Sequence, residues 1–278
     1  MFGICSVMLA ALALGPSPAA PAAAPLPQPA KQGPRVTASL QIENAALIPG
    51  QTNWLGVNFT ITKGWHIYWP GLNDTGMAPT FEIKAPQGFT LGELAWPTPI
   101  RHVAPGEILD HIYENSVLVM IPVQVPQDAK PGPASFTIEC KWLVCADVCL
   151  PEKSTIALTV PVAAADQKPK PSPNAKHFEA ARRRVPIPLK KDSETTARID
   201  HRTLVIESPG AAKLEFMPRE GSPPMPHLFK EGESTTGKLV IAFEPQDPKA
   251  HIKGTIAVTP KDKKETAFYS VDLEVPHE

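Results

Sequence analysis

The stretch that decides the fold is Cys140-Lys-Trp-Leu-Val-Cys145-Ala-Asp-Val-Cys149-Leu-Pro-Glu152, which holds every cysteine beyond Cys5. Apolar and polar side chains alternate on both sides of it, from Ala134 to Leu143 and from Ser154 to Val162. A period of two predicts half-buried strands. The sequence therefore predicts a β-hairpin with cysteines in or beside its bend.

Cys145 and Cys149 are four residues apart at this predicted bend. A hairpin bend can bring two Cα atoms within the roughly 4.4–6.8 Å that a disulfide requires. A ring of about five residues stabilises a fold by only roughly 2 kcal/mol, whereas a disulfide at a hairpin tip is accessible to another protein's thiolate. Two interpretations follow: a redox-active pair that exchanges with other thiols, or a local structural staple.

Cys140 belongs to the predicted strand itself. It shares a face with Phe136, Ile138 and Trp142, and this pattern predicts a buried, inert thiol. The alternative is a soft-metal site, for example for Cu(I), in which Cys140, Cys145 and Cys149 are the ligands. The spacing matches no closed zinc motif, and we predict no cofactor for the exchange function.

Composition sets the class and the domain count. The chain has 278 residues, a net charge of −1 and 34 prolines. This length suits two domains, nothing in the charge indicates nucleic acid, and many short strands with proline-marked turns indicate an all-β protein. We predict a β-sandwich over residues 36–162, a Pro- and Lys-rich linker over 163–176, and a second, smaller β-rich domain over 177–278.

The N-terminus predicts export. An apolar run from Ile4 to Leu14 is too short to span a bilayer but suits a signal peptide, and small residues follow it. We predict a signal peptide over residues 1–24 and a disordered lead-in over 25–35. No later run is long and apolar enough for a membrane span, so the mature protein is expected to be soluble and exported.

The segment from Ile100 to Asn115 is the longest connection predicted in the first domain. Long ordered loops in compact domains are often functional. Its centre, Ile108-Leu109, is apolar, which is unusual for a solvent-exposed loop. These two residues either cover a neighbouring site or anchor the loop on the sandwich.

Four motifs in order carry a family resemblance: Gly64-Trp-His-Ile-Tyr-Trp69, Asn73-Asp-Thr-Gly76, Trp96-Pro-Thr-Pro99 and Trp142-Leu-Val-Cys145-Ala-Asp-Val-Cys149-Leu-Pro151. Together they resemble the N-terminal periplasmic domain of the thiol:disulfide interchange protein DsbD family, in its ScsB (suppressor of copper sensitivity)-like variant. The resemblance covers about residues 36–162. It implies an immunoglobulin-like sandwich in the periplasm.

The resemblance also implies roles for particular residues. Cys145 and Cys149 occupy the positions of the family's redox pair, and the segment from Ile100 to Asn115 occupies the slot of the cap loop that shields it. Ile108 and Leu109 would then be shielding side chains, and Tyr113 is placed similarly to a family tyrosine near that loop.

The partners implied by the resemblance are thioredoxin-like proteins and exported disulfide-containing clients, with electrons also serving cytochrome c maturation in the family. The printed sequence has neither the membrane-embedded conduit nor the thioredoxin-like domain of DsbD. We therefore expect a separate membrane electron-transfer protein to supply reductant.

Overall fold

The computed structural model describes residues 33–164, 166–244, 249–262 and 265–276. The predicted signal peptide and most of the predicted lead-in lie outside the described residues. Cys5 lies there as well.

Ten strands form the first part of the chain. They are β1 (Val36–Ile42), β2 (Thr52–Ile61), β3 (Ile67–Tyr68), β4 (Thr80–Lys84), β5 (Thr90–Leu91), β6 (Ile100–Ala104), β7 (Ile108–Tyr113), β8 (Ser116–Gln124), β9 (Gly132–Cys145) and β10 (Cys149–Val162). Two sheets, with strand orders β1-β2-β8-β5 and β10-β9-β4, enclose the first hydrophobic core. Phe59 and Phe136 are fully buried in this core, because alternate side chains of each strand point inward. The predicted β-sandwich is confirmed.

A third, smaller sheet has the order β3-β7-β6. The segment predicted as a long loop, Ile100 to Asn115, is instead largely the β6–β7 hairpin, and this prediction was wrong. The turn uses Gly106 and Glu107, both with positive φ. Residues Leu109 to Tyr113 are all buried, so β7 is covered on both faces and shows no polar–apolar alternation. The missing alternation is the reason that the strand was not predicted.

Helix α1 (Ala175–Arg182) follows the predicted linker. Phe178, which is fully buried, packs with Ala181 against Leu118 and Met120 of β8. The helix falls largely within the span assigned to the second domain by the sequence, yet it packs on the first sandwich.

The rest of the chain is again rich in strands. Its elements are β11 (Ile187–Pro188), β12 (Thr196–Asp200), β13 (Thr203–Glu207), β14 (Ala211–Pro218), α2 (Leu228–Glu231), β15 (Glu233–Ser234), β16 (Lys238–Ala242), β17 (His251–Pro260) and β18 (Ala267–Glu274). A five-stranded sheet, β11-β18-β17-β14-β15, and a three-stranded sheet, β12-β13-β16, share a second core that includes Phe216, Phe243 and Ile256.

The two strand-rich regions are joined through the small sheet. Leu109 of β7 is part of the second core, and Gly71 pairs with Arg219 in an isolated bridge. The guanidinium of Arg101, on β6, donates to the carbonyl oxygen of Leu228 at 2.9 Å. Residues 34–278 accordingly form one compact unit.

Candidate functional site

The site begins with a disulfide between Cys145 and Cys149, whose Cα atoms are 4.2 Å apart. Cys145 ends β9 and Cys149 begins β10, and the two residues are directly opposite each other in the antiparallel register. The strands therefore continue up to the cysteines, further than predicted, and only residues 146–148 separate them. The hairpin predicted from the sequence is confirmed.

The two cysteines differ in exposure. Cys145 is 2% exposed and packs with Tyr68, Ile112 and the half-buried Leu143. Cys149 is exposed, and its neighbour Val148 is 58% exposed. A thiolate arriving from solvent therefore meets Cys149 first.

One face of the β3-β7-β6 sheet lies against the disulfide. Tyr68 is opposite Ile112, and Asp110 is opposite His102, so these side chains share that face. His66 precedes β3 and exchanges two backbone hydrogen bonds of 2.9 Å with Cys145. We call these five residues, from His66 to Ile112, the site face.

Tyr68 connects the disulfide to this face. Its hydroxyl lies 3.7 Å from Sγ of Cys149, 3.3 Å from Nε2 of His66 and 3.3 Å from Oγ1 of Thr75. Burial, followed by the nearby negative charge of Asp110, raises the pKa of Tyr68 above its usual value. The phenol therefore keeps its proton at neutral pH and can act as a hydrogen-bond donor.

A loop covers Tyr68 because β3 stops early. Pro70 has no backbone N–H and cannot extend the ladder along β7. Side-chain oxygens take the place of a strand: Oδ1 of Asn73 accepts the His111 N–H, and Oδ2 of Asp74 accepts the Leu109 N–H, both at 2.7 Å. We call residues 73–76 the covering loop.

Asp110 fixes the other end of the covering loop. Its carboxylate is 4% exposed and accepts the N–H of Thr75 at 3.0 Å and the hydroxyl of Thr75 at 2.5 Å. The next residue, Gly76, leaves no room for a side chain, because a Cβ there would overlap the Tyr68 ring. The loop backbone is thus in direct contact with the tyrosine that touches Cys149.

Two histidines complete the site face. The ring centroids of His66 and His102 are 5.7 Å apart. Burial, and next the proximity of His102, lower the pKa of His66 below its usual value. His66 is therefore neutral at pH 7, which allows its Nε2 to accept the proton of Tyr68 in one tautomer.

Two of the three residues predicted to shield the disulfide, Leu109 and Tyr113, lie away from it. Leu109 packs in the second core. Tyr113 is buried in the first core, where its hydroxyl donates to the carbonyl of Pro97 and its ring stacks on Trp96. Strand alternation turns both side chains away from the site face, so their predicted shielding role was wrong. Ile108 shares the site face and is half-buried, and its shielding role stays a prediction.

Cys140 is a core residue. It has no exposed surface, and burial raises the pKa of its thiol to about 12. It points into the first core, whereas Cys145 packs on the site face, so the three cysteines do not converge. In the described part of the chain no three metal-ligating side chains are grouped. The alternative metal site of Cys140, Cys145 and Cys149 was therefore wrong.

Sequence reasoning missed Tyr68, Thr75 and Asp110 as site residues. Tyr68 and Thr75 belong to the Gly64–Trp69 and Asn73–Gly76 motifs that carried the resemblance, so the signal was present but unassigned. Asp110 lies in the segment mistaken for a loop, which concealed its orientation.

The fold and the site define a class, namely a β-sandwich domain that presents a disulfide at the tip of a hairpin. Residues 36–161 match the family described as thiol:disulfide interchange protein DsbD, N-terminal. The resemblance inferred from the sequence over about residues 36–162 is confirmed by this match. No curated protein matches the sequence significantly.

One solved structure supports the same fold. The chain is similar to the N-terminal periplasmic domain of ScsB from Proteus mirabilis, with 14% identity and a TM-score of 0.54, covering 87% of this chain and 92% of that one. It is also similar to the DsbD N-terminal domain of Neisseria meningitidis in the reduced form, with 17% identity and a TM-score of 0.27, covering 44% of this chain and 89% of that one. The similarity to ScsB confirms the predicted immunoglobulin-like, all-β class. Neither described helix has the length and hydrophobicity needed to cross a bilayer.

Proposed function

We propose that the protein is an extracytoplasmic thiol–disulfide exchange module in which Cys145 and Cys149 are the redox pair. The observation that carries the proposal is the unequal exposure of the two cysteines, with Cys149 exposed and Cys145 buried against Tyr68. Membership of residues 36–161 in the DsbD N-terminal family supports the same chemistry.

The exchange step follows from this geometry. A partner thiolate attacks Sγ of Cys149, a new disulfide forms between the two proteins, and Cys145 leaves as a thiolate with the electron pair of the broken bond. The second thiol of the partner, as its thiolate, then attacks its own mixed-disulfide sulfur and releases Cys149. The partner is oxidised by two electrons and the pair is reduced. The reverse sequence passes these electrons to an oxidised client.

The partners and location belong to the same proposal. A thioredoxin-like protein or a separate membrane electron-transfer protein supplies reductant, and exported disulfide-containing proteins receive it. The module works in the periplasm after removal of the N-terminal segment. Support comes from the family of residues 36–161 and from the apolar run near the start of the sequence.

Single-cysteine variants test the assignment. In a full chain with Cys5→Ala and Cys140→Ala, we compare Cys145→Ser with Cys149→Ser for mixed-disulfide formation with an aromatic disulfide reagent. Cys149, left free in the first variant, should react at least about tenfold faster than Cys145 in the second, because thiol reactivity requires access. Faster reaction of Cys145 would overturn the assignment.

A further inference from the structure

The disulfide is the first of three rungs on the outer face of the β9–β10 hairpin. Leu143 is opposite Pro151 in the register, and Lys141 is opposite Lys153. Opposed residues share a face, as do alternate residues along a strand. The face therefore presents the disulfide, an apolar pair and a basic pair in succession, about 7 Å apart.

A groove of about 490 Å³ lies over the second and third rungs. Leu143 and Pro151 line it from the hairpin, and Met77 and Ala78 line it from the segment after the covering loop. Met77 is 69% exposed, and Val148 is 58% exposed at the tip of the hairpin. Large apolar side chains exposed on both sides of a reactive disulfide indicate a contact surface.

The two lysines at the far end of the groove differ in their acidic neighbours. Nζ of Lys141 lies 3.0 Å from a carboxylate oxygen of Glu139 and 3.8 Å from one of Glu82 on β4, so both acids pair with this lysine. Lys153 has no ion-pair partner among the residues that the structure describes. Lys153 is exposed, so its ammonium group is available to a ligand, although the nearby carboxylate of Glu139 partly offsets its charge.

We propose that this groove binds the extended polypeptide segment that flanks the exchanging cysteine of a partner protein. That segment carries an apolar side chain two positions from its cysteine and an acidic side chain four positions from it. The inference rests on the proposed exchange function, because a disulfide to Cys149 fixes the partner's cysteine at the first rung. An extended chain advances about 7 Å in two residues, which is the spacing of the rungs. The apolar residue then lies over Leu143 and Pro151, and the acidic one near Lys153.

Peptide thiols provide the test on the oxidised full chain. We compare Cys-Ser-Leu-Ser-Glu and its reversed sequence with Cys-Ser-Ser-Ser-Lys and its reversed sequence. The peptide thiolate attacks Cys149, Cys145 leaves as a thiolate, and mass spectrometry follows the mixed disulfide. In one of the two chain directions, the Leu-Glu peptide should react about tenfold faster than its control, because its leucine is partly buried in the groove.

Four variants test which residues produce the rate difference between the peptides. Met77→Ser should remove most of the advantage due to leucine, whereas Ile187→Ser, a control at a residue 59% exposed on β11, should preserve it. Lys153→Glu should shift the preference towards Lys peptides about threefold, and the exposed control Lys63→Glu should not.

Glutathione separates the two proposals, because its apolar contact with the groove is minimal. It should react equally with the wild type, Met77→Ser and Ile187→Ser. If glutathione exchanges but the Leu-Glu and control peptides react at the same rate in both directions, the groove proposal is overturned and exchange stands. If neither glutathione nor any peptide reduces the disulfide, the exchange proposal itself fails.

Discussion

Three acceptors compete for the hydroxyl proton of Tyr68. Thr75 gives its own hydroxyl proton to the buried carboxylate of Asp110, so its Oγ1 can only accept from Tyr68. His66 Nε2 and the sulfur of Cys149 are the other acceptors. A disulfide sulfur is a weak acceptor, but a thiolate is a strong one. Reduction of the pair should therefore direct this proton to Cys149 and stabilise its thiolate.

Tyr68→Phe tests this contact. In the reduced protein, loss of the hydroxyl should slow alkylation of Cys149 at pH 7 about tenfold, since a hydrogen bond to a charged group is worth about 1.5–3 kcal/mol. Iodoacetamide labelling followed by mass spectrometry measures the rate. The control Tyr269→Phe, in the second region, should label at the wild-type rate. Equal rates in both variants would show that the hydroxyl does not support the thiolate.

His111 should make the fold sensitive to acid. It is fully buried, it donates from Nδ1 to the carbonyl of Leu72 at 2.9 Å, and burial lowers its pKa to about 4 from an ordinary value of 6.5. Between these values the unfolded chain binds a proton that the folded chain does not. Stability therefore falls as the pH drops from about 6.5 to 4, by roughly 3 kcal/mol for this one group.

Urea unfolding at several pH values measures that loss. His111→Gln should lose roughly 3 kcal/mol less between pH 7 and pH 4 than the wild type, because the titrating group is gone. The exposed control His227→Gln should keep the wild-type dependence. If His111→Gln follows the wild-type curve, His111 is not the group responsible.

The covering loop is held in place by two features. Gly76 allows its backbone to contact the Tyr68 ring, and side-chain hydrogen bonds attach the loop to β7. Gly76→Ala should lower the free energy of unfolding by about 1–3 kcal/mol, since the added methyl group overlaps the Tyr68 ring and forces either the ring or the loop to move. Gly210→Ala is the matched control, because open space surrounds that position. A Gly76→Ala protein as stable as Gly210→Ala would contradict this packing.

Most strands were predictable because alternation and turn residues agree in them. The β9–β10 hairpin is the best case, with its alternating faces and its short bend at the cysteines. β7 was not predictable, because burial on both faces removes the alternation from Ile108 to Tyr113. Because β7 was taken for a loop, Leu109 and Tyr113 were wrongly assigned a shielding role. In a strand, by contrast, alternation places Leu109 and Tyr113 on one face and Asp110 and Ile112 on the other.

Arg101 joins the two strand-rich regions into one cooperative molecule. Its side chain is 5% exposed, and its guanidinium donates to the Leu228 carbonyl and pairs with Glu233 at 3.4 Å. His102, the next residue, faces the site. The second region thus helps to hold the strand that carries part of the site face.

Arg101→Ala should cost about 1–3 kcal/mol of stability, because it leaves the part-buried carbonyl oxygen of Leu228 without its donor. All five tryptophans precede residue 143, so fluorescence follows the first region, and far-ultraviolet circular dichroism follows both. The two unfolding curves should coincide in the wild type and separate in Arg101→Ala. The exposed control Arg198→Ala should leave them coincident. Coincident, unshifted curves in Arg101→Ala would show that this contact does not couple the regions.

The strands of the second region were also predictable from alternation, but its contact with the site was not. That contact depends on β6 and β7 turning one face to the disulfide and the other to the second core. Pairing between residues far apart in sequence decides such an arrangement, and a single sequence carries no direct signal for it.

The exchange function depends on one property, the redox potential of the Cys145–Cys149 disulfide. The mature protein is equilibrated in glutathione buffers, its thiols are trapped by alkylation, and mass spectrometry locates each label. The pair should titrate as one two-electron couple between roughly −180 and −300 mV, while Cys140 stays outside the transition. A pair that remains oxidised well below about −300 mV would be a structural staple, and the exchange function would be contradicted.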